Sequence, residues 1–72
     1  MGRLAGISGR DAVQAFIRAG YVIARQRGSH IILEKQGHPS LVIPAHRSVY
    51  PFLLRSQIRR AGLTEEEFLR LL

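Results

Sequence analysis

Three histidines, His30, His38 and His46, stand in a chain of 72 residues that has no cysteine and five acidic side chains. Histidine is the residue type whose ordinary titration range straddles neutrality, so these three are the first candidates for moving protons. The cations around them are almost all arginine. Lys35 is the only lysine, and the formal net charge is +6. A guanidinium grips phosphate with a two-pronged fork and stacks on flat rings, so this bias suits a polyanion, nucleic acid first of all. An acidic protein would be attracted too, and the same charge also serves a plain solvated surface.

Imidazole and guanidinium together are competent for one reaction in particular. Cleaving RNA without a metal needs a base for the 2′-hydroxyl proton, an acid for the leaving oxygen and cations around the phosphate. His30 then serves as base or acid, His46 is a candidate second proton-transfer group, and Arg25, Arg27, Arg47 or Arg55 stabilise the developing charge. A blander reading competes. A histidine beside a glycine turn is often a surface residue, and His46, after Pro44, can equally brace a loop. A zinc site is not expected, because His38 lies too far along the strand to share an ion and carboxylates are few. No cofactor is implied. Phosphate-cradling glycine loops, paired carboxylates and nucleophile triads are absent from the sequence.

These side chains need a scaffold, and the hydrophobic content of 46% is enough to build one domain with a real core. Ser8 can cap a helix with Asp11 in its first turn, and the spacing predicts that helix over Gly9 to Ala19, with Val13, Phe16 and Ile17 on one stripe. Tyr21 to Gln26 and Ser29 to Lys35 read as strands joined at Gly28, and Leu41 to Ile43 as a third strand that Pro44 ends. Pro51 opens a second helix with Leu54, Ile58 and Ala61 on its inner face. Thr64 with Glu67 forms a capping box, so Glu65, Glu66 and Glu67 read as helix-start residues rather than catalytic ones. The fold class is α+β, a three-stranded antiparallel sheet packed by helices in the order α-β-β-β-α-(α).

On the middle strand Ser29, Ile31 and Leu33 share one face and His30, Ile32 and Glu34 the other, and the first set is expected inward. If Lys35 faces Ser40, counting along the ladder puts His46 opposite Ser29, next to His30, with His38 at the other end. Arg55 and Arg59 are one turn apart on the second helix, with Arg60 nearby, and Tyr50 is the only aromatic in a loop that can stack on a base.

The segments Ala19-Gly20-Tyr21, Arg25-Gln26-Arg27-Gly28-Ser29-His30, Ile43-Pro44-Ala45-His46, Leu54-Arg55 with Ile58-Arg59, and Ala61 to Phe68 resemble the HicA toxins, also called the YcfA-like family. The likeness covers nearly the whole chain from Ser8 onward. It implies a fold like a double-stranded-RNA-binding domain and ribosome-independent endoribonuclease cleavage of mRNA, with His30 of the Gly-Ser-His motif as the catalytic residue. Arg25, Arg27, Ser29, Arg47, Arg55 and Arg59 are the candidate RNA-binding set. The resemblance also implies a HicB-type antitoxin that covers the site. In the loop after His46 the chain departs from many relatives, with Ser48, Val49, Phe52 and Leu53, so that loop is expected to differ in shape or contacts. No segment is apolar enough for a signal peptide or a membrane span, and the cytoplasm is the expected compartment. A basic RNA-binding module without catalysis, or a DNA-associated or protein-binding accessory domain, are the alternatives that the residues leave open.

Overall fold

The computed structural model describes residues 2–72. The Ser8 hydroxyl accepts the Asp11 amide at 3.0 Å and starts α1 (Gly9–Arg18), as its sequence position predicts. Ala12, Val13, Ala15 and Phe16 bury one face of this helix. Two strands follow, β1 (Val22–Arg27) and β2 (His30–Glu34), then β3 (Leu41–Pro44), α2 (Pro51–Arg60) and the short α3 (Glu65–Arg70). The order is the expected α-β-β-β-α-α. Thr64 and Glu67 make the reciprocal capping box at the start of α3.

The sheet is antiparallel in the order β1-β2-β3. Only two residues, Gly28 and Ser29, connect β1 to β2, and Gly28 has φ +58° while no other residue type takes a positive φ among the described residues. A glycine with positive φ in the first central position is the pattern of a II′ turn, whose twist matches that of the flanking strands. This tight turn sets Arg27 directly opposite His30. Ile31 pairs with Ile43 and Leu33 with Leu41, and these residues form the inner face; Leu33, Leu41 and Ile43 are fully buried.

The core under that face gathers Leu4, Phe16, Tyr21, Leu54, Ile58 and Phe68 with the inner strand residues. The Phe16 and Phe68 rings lie 5.0 Å apart and join α1 to α3. Tyr21 does not belong to β1 as the sequence suggests; it is buried just before the strand, and its hydroxyl donates to the Pro39 carbonyl at 3.2 Å. Burial pushes its phenol pKa up, against a smaller downward pull from Arg60.

Two backbone contacts tie the β3–α2 loop to the start of the chain. The Gly9 amide donates to the His46 carbonyl at 2.8 Å, and the Val49 amide to the Ile7 carbonyl at 2.8 Å. The chains approach so closely that a Cβ on Gly9 would sit 1.9 Å from the Pro44 carbonyl oxygen. In an ordinary helix glycine to alanine adds stability. Here the sign should reverse. Gly9→Ala should lose about 1–3 kcal/mol to forced displacement, read as a melting temperature lower by roughly 4–8 °C per kcal/mol. An unchanged or raised melting temperature would contradict this account of the contact.

Candidate nucleic-acid interface

Registry decides which side chains meet on the outer face of the sheet. His30 lies between Arg27 of β1 and Pro44 of β3, and Ile32 between Arg25 and Val42. His30 is exposed, as is its neighbour Arg27. Ile32 is buried even though it points outward, and it lies outside the main core cluster. Arg25 reaches diagonally to Glu34 at 3.8 Å in a solvent-exposed pair, which holds the guanidinium only weakly. Arg27 and Arg47 make no ion pair among the described residues.

β3 is the edge strand against which α2 lies. The Ala45 amide donates to the Ser29 carbonyl, so by the alternation of the ladder the Val42 and Pro44 nitrogens face away from β2. Pro44 has no N–H to lose there. The Val42 N–H is met instead by Gln57 Oε1 at 2.9 Å, and Gln57 is the one buried polar residue of the described chain. This amide clamps α2 along the strand edge, so that the helix rises as a wall beside the outer face.

An open groove of about 250 Å³ results, lined by His30, Val42, Pro44, His46, Tyr50, Leu53 and Gln57. The two histidines thus share one groove. The sequence count placed His46 opposite Ser29, but the ladder is offset by one residue and Ala45 holds that position. The cause is the β2–β3 turn, closed by the His38 amide on the Lys35 carbonyl at 3.0 Å, which is one residue tighter than the count assumed. His38 sits in that turn with its ring 6.3 Å from Tyr21, at the end of β2 away from His30. On its other side His46 borders a wider depression of about 540 Å³ that includes Arg10 and Arg47.

The remaining arginines divide. Arg55 is turned to α3, where its Nε donates to Glu65 at 3.0 Å, and Arg59 lines the same shallow depression. Neither borders the histidine groove. The Arg60 guanidinium donates to the Ser40 carbonyl. Ser29 lies exposed in the hairpin turn, with its carbonyl committed to β3. Among the described residues no three of His, Asp and Glu come together as a metal site, and no helix is long and apolar enough to cross a membrane.

Gln57 is the residue that sequence reasoning missed. A polar residue one position before Ile58 was its only signal. Gln57→Leu should strand the Val42 N–H and lower stability by about 1–3 kcal/mol, while Gln57→Glu, which keeps the acceptor, should lose less; equal losses in denaturant melts would refute the clamp.

A family model described as HicA toxin of bacterial toxin-antitoxin matches residues 9–63. Among solved structures, a chain of a toxin-antitoxin complex from Streptococcus pneumoniae is similar, with 30% sequence identity and a TM-score of 0.70, covering 78% of this chain and 97% of that one. No curated protein matches the sequence.

Proposed function

The chain belongs to the HicA toxin family of bacterial toxin-antitoxin systems, and from that premise we propose that it is a cytoplasmic, metal-independent endoribonuclease that cleaves mRNA with His30. The observation that carries the reading is the shared groove: two imidazoles border one open cleft, and Arg27 stands opposite the first of them. The cleft is open on the outer face, where an extended strand can reach it.

The chemistry follows from these positions. One imidazole takes the proton of the ribose 2′-hydroxyl as its oxygen attacks the adjacent phosphorus. The other gives a proton to the departing 5′-oxygen, so that two histidines cover two proton transfers which a single one covers only in turn. His30 holds one of these roles and His46 the other. Arg27 meets the charge that builds on the non-bridging oxygens, with Arg25 and Arg47 beside the strand. Ser29 offers its hydroxyl at the rim. Arg55 and Arg59 serve a strand that continues past α2, where they add affinity and leave the chemical step alone.

A HicB-type antitoxin is the proposed partner. The net charge of +6 favours an acidic protein surface that covers the groove and competes with RNA for the same arginines.

Two experiments test this. His30→Ala should relieve growth arrest and reduce RNA cleavage in the presence of a chelator by roughly 10²–10⁴-fold, the range for a lost general acid or base. Its circular dichroism and RNA affinity should stay close to wild type. Full cleavage by that variant rejects the mechanism, and intact RNA after long incubation with wild-type protein, bound in a salt-sensitive way, leaves a binding module only. In single-turnover assays at saturating protein, Arg27→Ala should slow cleavage at least tenfold, while Arg59→Ala should keep the rate and weaken binding. A rate loss confined to Arg59→Ala would move the site to the other side of α2.

A further inference from the structure

Tyr50 is 79% exposed beside the histidine groove that it lines, and its ring is left largely uncovered by the described residues. It is the N-cap residue of α2 and makes no capping bond with its side chain. Its exposure therefore does no work for the helix. Beside it the groove is lined mainly by apolar side chains, Leu53 from the first turn of α2 and Val42 and Pro44 from the sheet, with Gln57 one turn further along α2. Gln57 Oε1 is taken by the Val42 amide, whereas its Nε2 has one long contact, 3.4 Å to the Ser56 hydroxyl. The amide nitrogen carries two N–H groups, so one donor has no partner among the described residues, on a side chain that lines the groove.

We infer that this cleft is a nucleobase subsite, in which Tyr50 stacks on the base of a nucleotide flanking the phosphate held at His30 and Gln57 Nε2 donates to an acceptor on the edge of that base. The inference rests on the nuclease reading and specifies its substrate: a base fits only if it is unstacked, so the cleft selects single-stranded RNA. Three observations carry it. The groove, at about 250 Å³, is smaller than the roughly 300–1,000 Å³ of pockets that enclose whole small molecules, so it admits one ring. Its walls are apolar and end in an exposed aromatic, which is how proteins hold bases without reading a duplex. Its rim carries His30 and His46, with Arg27 next in register, so the charge that accompanies the ring is anionic.

Phe52 provides the internal comparison. It is 80% exposed on the first turn of α2 and does not line the groove. Loss of its ring removes exposed aromatic surface without touching the subsite.

The test measures binding, in the uncleaving His30→Ala background, of a fluorescent six-nucleotide single-stranded RNA, of the same strand in a duplex, and of the strand with one abasic position. Adding Tyr50→Ala should weaken single-strand binding about 5- to 150-fold, the range for one stacked base. Tyr50→Phe and Phe52→Ala should stay within about twofold, duplex affinity should not change, and the abasic strand should show no further loss with Tyr50→Ala. Equal losses on single strand and duplex, or equal losses for Tyr50→Ala and Phe52→Ala, would overturn the subsite. So would unchanged RNA binding by Tyr50→Ala together with lost antitoxin binding, which would make the ring a protein contact. If wild-type protein cleaves RNA and Tyr50→Ala alters neither binding nor cleavage, the subsite falls and the nuclease stands. If wild-type protein neither binds nor cleaves RNA, both fall.

Discussion

The site depends on one close backbone approach. At the start of α1, Gly9 presses against the Pro44 carbonyl and the Ala45 backbone, and its amide bonds the His46 carbonyl. Only a residue without a side chain allows the two segments to come so near. The loop that carries His46 and Tyr50 is thereby fixed to a helix whose buried face is part of the core. A loop of this length would otherwise be free to move, and the second imidazole would have no defined distance from the first.

A division of labour between the two faces of the sheet follows. Inward, Leu33, Leu41 and Ile43 lie under the helices and hold the sheet in place. Outward, the same registry lines up Arg27, His30 and Pro44 across the three strands. Because side chains alternate, stability and chemistry draw on different residues of the same strands. α2 connects the faces: Leu54 and Ile58 enter the core, while Leu53 and Gln57 on an adjacent stripe form the wall of the groove. Substitutions at the exposed outer positions, Arg27 and His30, are therefore free to change function at little expense to the fold, whereas Ile32 and Gln57 are buried.

Much of this was legible in the chain itself, because the relevant signals are local. Ser8 and Thr64 announce their helices through side-chain caps, Gly28 announces its turn, and Val13 with Phe16 shows which side of α1 is buried. The inward set of the middle strand was also readable, although Ser29 adds nothing to the core and Ile32, on the outer side, is nonetheless buried. What could not be read depends on segments distant in sequence. Leu4 and Val49 gave no periodic signal, yet both are buried in the core cluster. The one-residue offset of the second ladder is set by how tightly the Lys35–His38 turn closes, which composition does not state. The spacing of Arg55 and Arg59 shows that they share a side of α2; that this side faces Glu65 is a tertiary fact. Gly9 looks like an ordinary first-turn glycine until the partner backbone is in view.

The outermost strand has a consequence of its own. Every residue of β1 is exposed, including Val22 and Ile23, and its far edge is open among the described residues. Such an edge invites another chain to extend the sheet. The register slip around Ala24, between the Ile23 and Arg25 pairings, breaks the even spacing of rungs that an added strand would need. Two guanidinium groups just beyond the slip would face their own copies in a like-with-like pairing. Within six residues, a bare border thus carries two features that work against an added strand.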